Sequence, residues 1–220
     1  MTSTSTRRRR AVSDEDKSQR RDEIMAAAKE VFARKGFHAT TIADIAKQAG
    51  LAYGSVYWYF HSKDELFHAL MAVEAAALRA HVTAALAKLD VPAERAGEEA
   101  PLRALLQASV RATLEFFEAD KATVKLLLRD PYALGDRFEK HLGEIYERFI
   151  GDIEAFIAAA RERGEELAVP PRMVAYTLAA LVGQLAHRRL STDDDVTAVQ
   201  VADFVVSMVL DGLRPRAAGQ

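Results

Sequence analysis

Residues 41–60 read Thr41-Ile42-Ala43-Asp44-Ile45-Ala46-Lys47-Gln48-Ala49-Gly50-Leu51-Ala52-Tyr53-Gly54-Ser55-Val56-Tyr57-Trp58-Tyr59-Phe60. Thr41 followed three residues later by Asp44 is a helix-opening signal. Ile42, Ile45, Ala46 and Ala49 form a two-turn apolar stripe, and Gly50 supplies the stop. The run Ala52 to Phe60 then predicts a third short helix. Val56, Tyr59 and Phe60 take one side of it, and Tyr53, Gly54, Ser55, Tyr57 and Trp58 take the rest. Two short helices across the Gly50–Ala52 turn make a helix-turn-helix, whose second member can lie in a DNA major groove. A protein surface seldom shows two tyrosines and a tryptophan within six residues, so this face predicts a partner. Base methyl groups, base edges and sugar-phosphate would suit it.

Outward from this segment the chain reads as helix throughout. Upstream, Ser13 with Asp14, Glu15 and Asp16 resembles a capped helix start. Ile24, Ala27, Ala28, Val31 and Phe32 give one apolar stripe, and Gly36 ends it, so helix 1 is expected over 15–35. Downstream, Ser62-Lys63-Asp64-Glu65 is another capping box. It opens an apolar pattern through Leu66, Phe67, Leu70, Val73, Ala77, Leu78 and Val82 to about Leu89. Further helices are predicted over 102–119, 124–129, 137–163, 172–189 and 196–213, punctuated by Pro131, Gly135, Gly164, Pro170, Pro171 and the 191–195 stretch. No strand alternation and no internal repeat is evident. The expected fold is all-α with about nine helices. It comprises a disordered basic arm (1–14), a three-helix helix-turn-helix domain (15–68) and a helical ligand-binding and dimerisation domain (69–220).

Charge separates these regions. The first 68 residues carry 12 Lys and Arg against 9 Asp and Glu, giving +3, whereas residues 69–220 carry 18 against 23, giving −5. The basic end is therefore the place to seek a polyanion. The Arg7–Arg10 run reads equally as a DNA-touching arm or a solvated tail. With no cysteine, thiolate chemistry and sulfur-ligated zinc are excluded. No apolar core follows the arginines, and apolar runs such as 204–206 are cut by Asp203 and Ser207. These features predict a cytoplasmic chain that neither enters nor crosses a membrane.

An enzyme finds little support. His141 with Glu144, and His61 with His68, could each share a helical face, but neither pair has a third metal ligand. No glycine-rich phosphate loop, nucleophile motif or HExxH is present, so neither catalysis nor a metal or cofactor is expected. A helical carrier would not need the Thr41 to Lys63 constellation. A general chromosome binder should be basic throughout, whereas the net charge is −2.

The stretch Gly36-Phe37-His38-Ala39-Thr40-Thr41-Ile42-Ala43-Asp44-Ile45-Ala46, then Ala49-Gly50, Gly54-Ser55-Val56-Tyr57-Trp58-Tyr59-Phe60 and Ser62-Lys63-Asp64-Glu65-Leu66, resembles the signature of the TetR family of repressors over about residues 20–68. The resemblance implies a dimeric regulator that binds a palindromic operator and is released by a small effector. It places Tyr53, Gly54, Ser55 and Trp58 against bases, and Thr41, Tyr57, Tyr59 and Lys63 against phosphates. Ala52 stands where a capping Ser is frequent in the family, and Tyr53 where Lys or Gln is common. With no long polar side chain on this helix, readout is expected to lean on thymine methyls, backbone fit and DNA shape.

In the body, the last helix is apolar nearly all round, which predicts burial on both sides. One side would meet a second copy through Phe204, Val205 and Met208, joined by Tyr176, Ala180 and Gly183 of the preceding helix, whose small residues permit close approach. Ala179 and Ala186 are expected to share that face. Bulky side chains in helices 5 to 7 suggest a pocket for a largely hydrophobic effector. Its expected lining is Phe116, Phe117, Leu127 and Tyr146, with Arg129, Gln184 and His187 as polar contacts, and Phe149 and Phe156 among the surrounding bulk. In this family a shift of helix 4 on effector binding would move the reading helices out of operator register.

Overall fold

The computed structural model describes residues 4–89, 100–128, 136–162, 169–189, 192 and 195–212. Among them are nine helices and no strand: α1 (Thr4–Lys35), α2 (Ile42–Gln48), α3 (Tyr53–Tyr57), α4 (Lys63–Leu86), α5 (Ala100–Ala119), α6 (Lys121–Leu128), α7 (Asp136–Glu162), α8 (Pro171–Arg189) and α9 (Ala198–Gly212). The chain forms two compact units, Met1–Val73 and Glu74–Gln220, with α4 running through the division.

The first unit is built on the apolar stripes. Ile24, Ala27, Ala28, Val31 and Phe32 of α1 are buried with Ile42, Ile45 and Ala46 of α2, Val56 and Phe60 around α3, and Leu66, Phe67 and Leu70 of α4. Phe32 and Phe67 meet edge to face, their ring centroids 5.0 Å apart. Helix 1 corrects the expectation: it begins at Thr4 rather than at residue 15, so Ser13–Asp16 lie inside it. No glycine or proline interrupts residues 1–35, so nothing there breaks a helix once begun. The side chains of Arg7–Arg10 lie outside those described.

Capping sets the other boundaries. Thr41 and Asp44 form a reciprocal capping box at α2. Gly50, at φ +67°, then closes α2: its amide reaches Lys47 O (3.2 Å) and the Leu51 amide reaches Ala46 O (2.8 Å), a Schellman pair. An L side chain would be strained at that φ. α3 is shorter than the expected 52–60. Its cap position, Ala52, offers no side-chain bond, and the chain turns at Trp58 and Tyr59. At α4, Ser62 Oγ accepts from the Glu65 amide (3.0 Å), and Glu65 accepts from the His61 amide (2.7 Å).

α4 departs from its expected stripe at Val73 and Ala77, both exposed, while Met71 and Glu74 are buried. By length and composition alone this helix is long and apolar enough to cross a membrane, a property that a search for uninterrupted apolar runs misses. Glu65, Glu74 and Arg79 interrupt it, and its apolar residues are shared between two cores: Leu66, Phe67, Leu70 and Met71 in the first unit, Leu78 in the second.

In the second unit α5 packs on α9 and α7 on α8. Leu102, Leu106, Leu114, Val201, Val205 and Val206 share one buried cluster with Leu178 and Val182. Asp120 caps α6 through the Ala122 and Thr123 amides (3.0 and 3.2 Å). Thr197 and Gln200 form a capping box at α9.

Candidate nucleic-acid interface and effector cavity

α3 buries only Val56, and the other side chains face outward as the sequence reading has it. Tyr53 is 55% exposed, Tyr57 38% and Trp58 67%, while Ser55 and Tyr59 are half-buried. Tyr53 and Tyr57, one turn apart, hydrogen-bond hydroxyl to hydroxyl (3.1 Å) with ring centroids 5.1 Å apart. That bond to Tyr53, and secondly desolvation, raise the Tyr57 phenol above its ordinary value, so the ring stays neutral at physiological pH. The two rings thus stand edge to face on the exposed side of α3, joined through their hydroxyls.

Gly54 sits between them, exposed and without a positive φ. A Cβ built on it meets nothing within 4 Å. Neither backbone conformation nor internal packing calls for glycine here, yet glycine weakens a helix by about 0.5–1 kcal/mol against alanine. The missing side chain leaves the backbone of α3 open to the outside at this point.

Two basic side chains of α1 lie over rings of this segment. Lys17 of α1 lies over the Trp58 indole, 5.5 Å from the ring centroid, and the Arg21 guanidinium lies 4.9 Å from that of Phe60. The sequence reading passed over both, because their relation to α3 is tertiary. Lys35 pairs with Asp44 at 2.6 Å. That charged hydrogen bond first, with those from the Thr41 amide and hydroxyl, lowers the Asp44 carboxyl to about 2.

Two expected phosphate contacts have other employment. The Thr41 hydroxyl is engaged with Asp44 (2.9 Å). Lys63 Nζ turns inward, donating to Phe37 O (2.8 Å), Thr40 O (2.9 Å) and His38 O (3.4 Å), 4.3 Å from the Phe37 ring centroid. An ammonium has three protons, and these carbonyls take all three. Lys63 therefore ties α4 to the α1–α2 turn. Buried Thr40 braces the same turn through Gly36 O (2.7 Å).

The second unit holds a cavity of about 340 Å³. α4 contributes Arg79, Val82, Thr83 and Leu86; α5 contributes Leu106, Ser109, Val110 and Thr113; α7 contributes Phe149, Asp152, Ile153 and Phe156; Leu178, Ala179 and Val182 of α8 complete the wall with Ala155. The lining is mostly apolar. Ser109 and Thr113 spend their hydroxyl protons on the carbonyls of Leu105 and Ser109 (both 2.8 Å), and one ion pair, Arg79 Nε to Asp152 Oδ2 at 2.8 Å, joins α4 to α7.

This cavity and the expected pocket lining do not coincide. Phe116, Phe117, Leu127, Tyr146, Gln184 and His187 do not line the cavity, and Arg129 lies outside the described residues. Phe117 is core, Phe116 packs against His81 (5.6 Å between centroids), Leu127 packs on the core, and Tyr146 is exposed. Large side chains fill space, and the void opens where Thr83, Ser109, Thr113, Ala155 and Ala179 are small. Of the bulky residues noted in the sequence, Phe149 and Phe156 do reach it.

The expected self-association face is likewise redrawn. Phe204 (62% exposed) and Met208 lie one turn apart on the outer side of α9, with Val196 and Val199 nearby in sequence and also exposed. Val205 is fully buried in its own protomer, and Ala179 and Ala186 are buried as well, so none of the three faces outward. On α8, Tyr176, Ala180, Gln184 and His187 recur along an exposed side, with Gly183 half-buried. The Tyr176 hydroxyl donates to Glu147 (3.0 Å) and accepts from Arg172 (2.9 Å). The Arg172 bond first, then that from Tyr176, lowers the Glu147 carboxyl.

Residues 24–70 match the family model described as bacterial regulatory proteins, tetR family. The chain is 29% identical over 204 residues to the HTH-type transcriptional repressor KstR2 of Rhodococcus jostii, covering 90% of this chain and 92% of that one. It is 26% identical over 197 residues to the HTH-type transcriptional activator FasR of Mycolicibacterium smegmatis, covering 90% and 84%. The fold matches that of the regulator FadR from Bacillus subtilis in complex with stearoyl-CoA at a TM-score of 0.74 and 16% identity, covering 87% of this chain and 98% of that one.

Proposed function

Because the chain belongs to the TetR family of HTH-type transcriptional regulators, which bind DNA and are not enzymes, we propose that it represses transcription by holding a palindromic operator as a homodimer until a largely apolar effector binds. The N-terminal region through about residue 68 reads DNA, and the body beyond binds effector and partner. The reading rests above all on the exposed aromatic side chains of Tyr53, Tyr57 and Trp58 around a glycine that the fold does not need. Tyr53, Gly54, Ser55 and Trp58 meet base edges and methyls. Tyr57 and Tyr59 meet phosphates, with Thr41 and Lys63 shaping the turn beneath them and Lys17 adding charge beside Trp58.

A second copy covers Phe204 and Met208 of α9 and the Tyr176, Ala180 and Gly183 side of α8. It removes exposed apolar surface and pairs two reading helices for successive major grooves ~34–36 Å apart. The cavity supports the effector half of the reading. Its volume lies in the lower part of the ~300–1,000 Å³ range of ligand sites, and its lining suits an acyl chain. A fold relative was solved with stearoyl-CoA, which favours the acyl or acyl-CoA class here. Repression rather than activation follows KstR2 in preference to FasR, and the site of action is the cytoplasm.

The test is a salt titration against the fragment upstream of its own coding region and against random DNA. A specific dimer loses affinity for both as salt rises yet keeps a large preference for its operator. Equal, steeply salt-dependent binding to both would overturn the reading.

A further inference from the structure

The cavity has one charged feature, the Arg79–Asp152 pair, and its geometry is incomplete in an informative way. Arg79 meets Asp152 through Nε. The guanidinium's outer edge, its two terminal nitrogens, carries no partner among the described residues, and Arg79 is the sole cation among those lining the cavity. Both side chains are about half exposed (52% and 55%), so the pair is screened and easily opened. Thr83 lies one turn along α4 on the same wall. Ser109 and Thr113 have committed their protons to backbone carbonyls, so their oxygens remain acceptors. Strong donors are thus concentrated at Arg79, while nearly everything else on the lining is apolar.

An arginine fork with its edge free is shaped for two parallel hydrogen bonds to a carboxylate or phosphate. We propose that Arg79 is the head-group receptor of the cavity: it binds the anionic head of an amphiphile whose chain fills the apolar interior, in competition with Asp152. This rests on the acyl-effector reading and sharpens it, requiring an anion and assigning its contact to one residue. Asp152 then acts as a built-in competitor. Its carboxylate occupies part of the guanidinium when the cavity is empty and repels the incoming anion, so the α4–α7 tie is weakened as ligand binds.

The experiment is isothermal titration calorimetry of the full-length protein with decanoate, decanoyl-CoA and decanol, for wild type, Arg79→Gln and Asp152→Asn. Melting temperature serves as the check on folding, which these half-exposed positions should pass. Arg79→Gln is expected to weaken binding of the anionic ligands by about tenfold or more, the effect of losing charged hydrogen bonds. Asp152→Asn should strengthen it severalfold, with decanol changing by less than about twofold in either variant. A loss confined to decanoate assigns the head to a free carboxylate; one confined to decanoyl-CoA assigns it to the nucleotide phosphates. Unchanged affinities in Arg79→Gln, or an equal loss for decanol, overturns the head-group assignment while leaving the acyl reading standing. Failure of all three ligands to bind wild type overturns both.

Discussion

Replacing Gly54 by alanine separates what the fold requires from what a partner requires. The residue is helical and exposed, has no positive φ, and leaves open space where a Cβ would stand. Alanine gains about 0.5–1 kcal/mol over glycine in a helix, and the lower figure suits a position so near the start of a five-residue helix. In a chain of this size each kcal/mol moves the melting temperature by about 2–4 °C, so Gly54→Ala should melt about 1–4 °C higher than wild type. If the glycine exists to let DNA approach, the added methyl collides with sugar-phosphate or a base edge, and operator affinity falls by about tenfold or more, ~1.4 kcal/mol. Differential scanning fluorimetry gives the first quantity, and fluorescence anisotropy on a labelled operator duplex gives the second. A variant that melts higher and binds DNA undiminished would refute the close-approach argument. One that melts lower would refute the open-space argument.

Five other substitutions probe separate parts of the account. Trp58→Ala should abolish operator preference while leaving melting within about 0.5 kcal/mol, since the ring is mostly exposed; anisotropy and calorimetry check the two halves. Asp44 ionises below the ordinary carboxylate range, so its contribution to stability is complete above about pH 4 and is lost as pH falls through about 2. Asp44→Asn should therefore flatten the melting temperature of the first unit across that window, measured by circular dichroism. Phe204→Glu should yield a folded monomer by sedimentation, whereas Val205→Ala, one residue on but fully buried, should cost about 2 kcal/mol of protomer stability. Val110→Phe, placed on the cavity wall, should blunt effector release while operator binding in its absence persists, as an anisotropy competition would show.

The first unit was largely legible because its signals are local. Thr41 with Asp44, Gly50 and Ser62 with Glu65 act within a few residues, and the stripe from Ile24 to Phe32 needs only helical periodicity. What the sequence could not show is where long side chains spend their hydrogen bonds. Lys63 looks like a free cation beside an aromatic run, yet it closes on three carbonyls 23 to 26 residues upstream.

In the second unit, aromatic bulk proved a poor guide to the cavity. Phe117 fills space, while the void owes its room to Ser109, Thr113, Ala155 and Ala179. The available signal was polarity: Ser109 and Thr113 interrupt the apolar stripe of α5, and Asp152 sits between Phe149 and Ile153 on α7. On α9, the sequence shows an apolar circumference, and only the structure separates Val205 inside from Phe204 outside.

The central claim, sequence-specific DNA recognition by a dimer through α3, is tested most directly by selection. Purified protein is incubated at ~150 mM salt with genomic fragments that include its own upstream region, and the retained DNA is sequenced. The account predicts enrichment of a short palindrome with half-sites centred one helical turn apart, or a multiple of that, which is lost when Trp58→Ala protein is used. No enriched site from ligand-free protein, or the same site recovered by the variant, would contradict it.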